Sequence, residues 1–256
     1  MKRIWSPQLP DVGELLEPDR EELRHLLSVR RASAGERIEV IDGKGGLAIG
    51  ELESVRKRDA EIRIVERLEA SRESPLQLTV VLALPVQIST LDDCLPGLVQ
   101  LGVTRLIWVP TRYGGRMKKD PAKYQGRLQT IALQSLKQCG RLVLPVITPA
   151  RDWEEACTTM TESGAFSLLF HPIRSGAGTE ALPEKLDHVA LWIGPEGGFS
   201  EDEVQRAAEA GARPTDMGPR ILRTETAVIG ACYWAQSRFG DIGHALQVPG
   251  ENAVIS

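Results

Sequence analysis

No apolar run in this 256-residue chain approaches the roughly twenty residues needed to cross a bilayer. The opening Met1-Lys2-Arg3-Ile4-Trp5 also lacks the apolar core of a secretory signal, so a cytoplasmic location is the expectation. The four cysteines (Cys94, Cys139, Cys157, Cys232) never stand two or three residues apart, and the four histidines (His25, His171, His188, His244) are equally scattered. The paired spacings of zinc and redox motifs are therefore missing; no metal is expected, and the thiols read as reduced and mostly buried. Neither G-x-G-x-x-G nor a P-loop is present, nor any internal repeat or low-complexity tract. What remains has an ordinary globular composition and enough length for one large domain or two modest ones.

The net charge of −4 argues at first against a nucleic-acid partner, but its distribution argues for one. Between Leu101 and Pro145 nine basic residues (Arg105, Arg112, Arg116, Lys118, Lys119, Lys123, Arg127, Lys137, Arg141) face a single acid, Asp120, leaving −12 on the rest of the chain. Such segregation is expected where one face meets a polyanion. A solvated basic helix face is the plainer alternative.

Residues 1–70 read as a small β-rich unit. Arg37–Ile41 alternates around Ile38 and Val40, a glycine-rich turn follows at Asp42–Gly46, and Leu47–Val55 and Ala60–Leu68 are two further strands. Asp19–Val29 has helical spacing through Leu23, Leu26 and Leu27. The polar stretch Ala70–Pro75 reads as a linker. Beyond it, in residues 76–256, the apolar runs Leu78–Leu84, Leu106–Val109, Phe166–Phe170 and Val189–Ile193 suit strands covered on both faces, hence an α/β domain with a parallel sheet. The clearest helix between them is Pro121–Gly140. One stripe holds Tyr124, Leu128, Ile131, Ser135 and Leu136; another side holds Lys123, Arg127, Gln134, Gln138 and Arg141.

The strongest local pattern is Ile193-Gly194-Pro195-Glu196-Gly197-Gly198-Phe199. A buried strand enters a glycine loop, Ser200 caps a helix with Glu203 as its capping-box partner, and Gly211 closes that helix. In open α/β sheets, ligands bind beyond such strand ends. A carboxylate within the loop repels phosphate and suits a neutral or cationic ligand such as S-adenosylmethionine. A plain glycine turn without function is the alternative. The second pattern is Met217-Gly218-Pro219-Arg220-Ile221-Leu222-Arg223-Thr224-Glu225-Thr226-Ala227. Here Thr224 is expected to cap an apolar, buried helix running from Ala227 to about Trp234. Arg220 and Arg223 oppose the dipole at that helix start, so an anionic group, or Glu225 itself, is expected nearby.

Together the two patterns resemble the C-terminal signature of the RsmE family, uridine-N3 methyltransferases of small-subunit ribosomal RNA within the SPOUT superfamily. His25-Leu26-Leu27-Ser28-Val29-Arg30-Arg31, Gln138-Cys139-Gly140-Arg141 and Phe170-His171-Pro172 are similar to further stretches of that family at lower fidelity. The resemblance implies a PUA-like β-barrel over 1–70 that helps hold RNA. It also implies a SPOUT-type α/β domain over 76–256 with a deep trefoil knot, and a homodimer; periodicity alone gives an unknotted sheet. S-adenosyl-L-methionine is the implied cofactor. It would be held by Phe170, His171, Pro172, Ile193, Gly194, Glu196, Gly197, Gly198, Met217, Gly218, Ile221, Leu222 and Thr226. His25, Arg30, Arg31, Arg127, Gln138, Arg141 and Arg220 are the expected ribosomal RNA contacts. One stretch departs from the family: its Lys-Gly-Asp-Lys-Met-Asp is here Pro85-Val86-Gln87-Ile88-Ser89-Thr90-Leu91-Asp92, and its Thr-Glu-Leu-Gly is Val99-Gln100-Leu101-Gly102, so two lysines and a glutamate are absent.

Arg223 is expected to stabilise negative charge on the uracil and Glu225 to act as base or to orient Arg223. A base-paired N3 is inaccessible, so the target must be single-stranded or flipped out. A SPOUT enzyme with another RNA target and a non-catalytic RNA-binding or ribosome-assembly protein are the alternative readings.

Overall fold

The computed structural model describes residues 2–24, 26, 33–56, 59–117, 120–171 and 182–243. The chain packs as two compact units that do not meet at one point in the sequence. The first comprises Met1–Glu73, Leu95–Gln100 and Lys119–Ile147; the second comprises Ser74–Cys94, Leu101–Lys118 and Thr148–Ser256.

In the first unit, β1 (Lys2–Trp5) pairs parallel with β3 (Arg37–Ile41). Antiparallel pairings then add β4 (Leu47–Val55), β5 (Ala60–Leu68) and the short β2 (Leu15–Leu16), in the order β1-β3-β4-β5-β2. Strands β3, β4 and β5 have the bounds expected from their alternation, and Ile4, Ile38, Val40, Leu52, Ile62 and Ile64 fill the core. Helix α1 covers Arg20–Arg24, with the Asp19 carboxylate accepting from the amides of Glu21 and Glu22. The expected continuation to Val29 falls largely on residues outside the described set.

Helix α3 (Pro121–Cys139) belongs to this unit and packs against β1. Asp120 caps it through the Ala122 amide at 3.0 Å, Pro121 opens it, and Gly140 closes it in a left-handed conformation (φ 92°). Its buried stripe is Tyr124, Leu128, Ala132, Ser135 and Leu136.

Two charge expectations need correction. Lys137, counted in the basic stretch expected to meet a polyanion, is taken up within the fold; its ammonium pairs with Glu22, whose side chain is 3% exposed. Arg141 is not an exposed phosphate contact either. Its guanidinium is buried, bonded to Glu73 at 2.6 and 2.8 Å and to the Val99 carbonyl at 2.7 Å. Charge counts along a sequence do not reveal a counter-charge folded in from far away. The polar stretch at 70–75, read as a linker, holds the boundary between the two units at Glu73–Ser74 and is anchored: Glu73 also accepts from the Leu142 and Val143 amides, and Arg72 donates to Gly140 and Glu39.

The second unit holds a six-stranded sheet ordered β11-β9-β10-β6-β7-β8. Its strands are β6 (Gln77–Ala83), β7 (Val103–Val109), β8 (Val146–Pro149), β9 (Phe166–Phe170), β10 (His188–Ile193) and β11 (Arg213–Thr215). Every pairing from β11 through β7 is parallel. Helices α2 (Ser89–Gln100), α4 (Trp153–Ser163), α5 (Glu201–Glu209) and α6 (Thr224–Phe239) complete the element order. Trp192, fully buried on β10, meets the edge of Trp153 at 5.1 Å, and Trp153 stacks obliquely on Phe199 at the same distance.

Cys94, Cys157 and Cys232 are buried, as expected. Burial pushes the Cys94 and Cys157 thiols from 9.0 up to about 11, with Glu225 and Glu154 respectively adding to the shift, and Cys232 is raised as well. An unfolded chain therefore loses these protons before the folded one does. Their contribution to stability is complete below pH 9.0 and declines toward about pH 11. Urea midpoints should fall over that window and fall less in the Cys94→Ala/Cys157→Ala variant; equal slopes would contradict this. Removing the buried guanidinium in Arg141→Ala should cost about 2–4 kcal/mol in the same titration, somewhat below a fully buried pair because Glu73 keeps partial solvent access.

Candidate active site

Sheet order locates the site before any side chain is considered. From β6 the chain runs outward through β7 and β8, then returns on the opposite side through β9, with β10 placed between β9 and β6. The direction of winding thus reverses between β6 and β10, the kind of crevice where open α/β sheets bind ligands. Parallel register levels the strand ends: Ile193 lies opposite both Leu82 and Phe170, Phe170 opposite Thr215, and Ala83 opposite Val109. The segments starting at Leu84, Pro110, His171, Gly194 and Asp216 all leave the sheet at one edge.

The glycine loop spans the crevice. The Gly198 amide donates to the Pro195 carbonyl at 2.8 Å, closing a turn that needs the left-handed conformation of Gly198 (φ 72°). A side chain at Gly197 would come within 2.8 Å of Tyr113 Cβ, so a close neighbour requires glycine there. Glu196 is exposed, and one of its carboxylate oxygens accepts from the Val86 amide at 3.0 Å. It therefore ties the ends of β10 and β6 together as well as lending the loop negative charge. Ser200 and Glu203 form the expected capping box at the start of α5.

The second pattern meets the first through one hydroxyl. Thr224 is not the cap of α6 but its first residue; Arg223 holds the cap position without a side-chain bond. Thr224 Oγ1 instead donates to the Gly194 carbonyl at 3.3 Å. A threonine before an apolar run has the look of a cap in sequence, and only the fold supplies the competing acceptor. Arg223 and Glu225 flank this anchored residue, their charged atoms 3.9 Å apart and both reaching solvent. Helix α6 is longer than expected and not buried all round: Val228, Ala231, Cys232, Ala235 and Gln236 face inward, while Tyr233 is exposed.

Of the expected cofactor residues, Phe170 packs edge-on against Trp234 of α6 (6.4 Å), and the His171 amide continues the ladder to Thr215 at 2.9 Å. Ile193 is buried, Leu222 and Met217 are half-buried, and a side chain at Gly230 would lie 3.0 Å from the Met217 methyl. Gly218 has φ 88°; Thr226 and Arg220 are exposed, and Ile221 is 93% exposed. Pro172 lies outside the described residues, as do His25, Arg30 and Arg31. In the first unit Arg127 and Gln138 are exposed on α3, with Gln138 accepting from Gln100 at 3.3 Å.

Sequence reading missed the loop after β7. Thr111-Arg112-Tyr113-Gly114-Gly115-Arg116 follows the strand end, and the Gly115 amide donates to the Leu84 carbonyl at 2.8 Å. Glu203 fixes its other side: Oε1 accepts from the Arg112 amide at 2.7 Å, and Oε2 from the Ser200 amide and hydroxyl at 2.8 and 2.9 Å. One buried carboxylate thus joins the β7 loop to the helix that follows the glycine loop. The Gly114-Gly115 pair after an apolar run was the available signal.

Residues 72–236 match the model of the RNA methyltransferase domain, and residues 18–65 that of the RNA methyltransferase PUA domain. The chain belongs to the ribosomal RNA small subunit methyltransferase E family. A family member from Helicobacter pylori (strain J99) is 30% identical over 90% of this chain and 96% of its own. Another, from Buchnera aphidicola of Schizaphis graminum, is 27% identical over 94% and 97%. The crystal structure of the enzyme of this family from Neisseria gonorrhoeae, bound to S-adenosyl methionine, superposes with a TM-score of 0.84 at 31% identity, covering 94% of this chain and 99% of that one. The α/β fold with its parallel sheet and the N-terminal PUA domain accord with the expectation drawn from the family motifs.

Thr224→Val removes the hydroxyl that joins the two motifs while keeping its shape. It should lower stability by about 1 kcal/mol and speed amide exchange at Gly197 and Gly198, whereas Thr224→Ser keeps both near their starting values. Unaltered exchange in Thr224→Val would show that the loop holds without this bond.

Proposed function

We propose that this chain is an S-adenosylmethionine-dependent methyltransferase that acts on N3 of a uridine in small-subunit ribosomal RNA. The observation that carries the reading is the bond from Thr224 to Gly194, which sets Arg223 and Glu225 beside the glycine loop at the winding reversal of the sheet. The loop suits a compact cationic ligand: its Gly197 position has no room for a side chain toward Tyr113, and Glu196 supplies an exposed carboxylate. The segments at Phe170–Pro172, Ile193–Gly198 and Met217–Leu222, with Thr226, would hold the cofactor, which supplies a methyl group on a sulfonium with a good leaving group.

The protein's share is alignment and charge. Holding uridine N3 in line with the methyl group supplies much of the rate. Arg223 stabilises the negative charge left on the uracil as the imide proton departs, and Glu225 takes that proton or orients Arg223. An exposed ion pair at 3.9 Å contributes little to stability, and a cation at a helix start is disfavoured, so folding alone gives weak reason for Arg223. The PUA domain, Arg127 and Arg220, together with His25, Arg30 and Arg31, would contact the RNA backbone. Gln138 belongs to the same α3 surface, whereas Arg141 is committed to Glu73. Functionally, residues 1–70 serve RNA binding and 76–256 methyl transfer. The knot, a homodimer and a cytoplasmic location belong to the same reading; among the described residues no helix is long and apolar enough to cross a membrane.

Nucleotide mapping of ribosomal RNA from a deletion strain should lose an N3-methyluridine that the restored gene returns; an unchanged signal sinks the assignment. A different lost modification would point to a SPOUT enzyme with another target, which the altered stretch Pro85–Asp92 keeps in view. In purified enzyme, Arg223→Ala should lower kcat by about 10²–10³-fold, the usual loss for an oxyanion-stabilising group, with cofactor affinity unchanged. A parallel loss of cofactor affinity would place Arg223 in binding instead.

A further inference from the structure

The Thr111–Arg116 loop is held in place more firmly than an incidental surface turn. Its backbone is fixed at both ends, by Glu203 at Arg112 and by the Leu84 carbonyl at Gly115. Tyr113 lies directly against Gly197, and the residue remains 48% exposed, so its ring is open to solvent beside the glycine loop. The Arg112 guanidinium sits 5.7 Å from the centre of that ring. Arg112 and Arg116 are exposed, and neither has an acidic partner among the described residues. An exposed aromatic ring with one guanidinium against it and a second three residues on, neither ion-paired to an acid among the described residues, is the chemistry that receives single-stranded nucleic acid: the ring stacks on a base of any identity, and the cations meet adjacent phosphates.

The loop also answers a deficit. The neighbouring stretch after β6, Pro85–Asp92, which runs into the first turn of α2, carries no basic residue, and the Gly115 amide donates to the carbonyl of Leu84 just before it. Beside the β6 exit, the basic side chains are those of Arg112 and Arg116 on the β7 loop.

We propose that Tyr113 is the stacking platform for an unpaired nucleotide at the methylation site, with Arg112 and Arg116 binding the phosphates on either side of it. The inference rests on methyl transfer to RNA and adds which residues present the substrate strand. A purely structural Tyr113, covering Gly197, would affect the cofactor loop first; a stacking Tyr113 affects RNA first and leaves cofactor binding alone.

The test uses the full chain and two readouts. One is anisotropy of a short, fluorescein-labelled, uridine-rich single-stranded RNA; the other is calorimetry with S-adenosylmethionine. Tyr113→Leu keeps bulk over Gly197 but removes the π-face. It should weaken RNA binding by roughly tenfold or more with cofactor affinity unchanged, and Tyr113→Phe should restore RNA binding. Arg112→Ala/Arg116→Ala should lower the slope of log affinity against log salt by about 1.4, two phosphates' worth on a single strand. RNA binding of Tyr113→Leu equal to the parent, or a loss of cofactor affinity matching any loss of RNA affinity, overturns the proposal. Methyl transfer to small-subunit RNA by the parent protein tests the underlying activity separately. A parent that binds the strand through Tyr113 but transfers no methyl group refutes the activity and leaves the platform standing.

Discussion

Parallel pairing of β10 with both β6 and β9 is the constraint on which the candidate site depends. Parallel strands cannot be joined by tight hairpins; each return passes through a crossover, so the segments that follow the strands leave at a common edge. Register then matters more than composition. With Ile193 level with Leu82 and Phe170, the glycine loop, the β6 exit and the β9 exit start from one height. A few hydrogen bonds suffice to join them: Glu196 to Val86, Thr224 to Gly194, and Glu203 to Arg112.

These bonds differ in what they cost to lose. Glu196 is exposed and its bond competes with water. Glu203 is buried, and removing its carboxylate would strand the Arg112 and Ser200 amides together. The bonds also differ in what they hold. Thr224 sets the entrance of α6, and with it Arg223 and Glu225, against the loop, while Phe170 and Trp234 keep the same helix beside the β9 exit.

Much of this was legible in the residues, and the reason is local. Strands β3, β4, β5 and β9 carry their bounds in alternation or in uninterrupted apolar runs, and Ser200–Glu203 and Pro121–Gly140 carry their caps in side chains a few residues apart. Strands β1, β2, β8 and β11 have four residues or fewer, too short to show a period, and α2 contains Pro96 within the helix. What could not be read was long-range. Lys137 and Arg141 belong to a basic stretch, yet Glu22 and Glu73, 115 and 68 positions away, take them out of solvent. The role of Thr224 was misread because its acceptor lies 30 residues earlier, and the β7 loop escaped notice because its importance comes from Gly197 and Glu203.

Glu203 grips the loop after β7 by a backbone amide, and Leu84 receives another backbone amide from Gly115. Neither attachment consults the side chain at position 112, 113 or 116. Any residue other than proline at 112 keeps its half of the anchorage, so the surface of this loop can drift while its path stays fixed. What this loop presents beside the glycine loop can thus change without rebuilding the loop itself. For engineering, it marks Arg112, Tyr113 and Arg116 as positions whose side chains can be exchanged with little effect on the path of the loop.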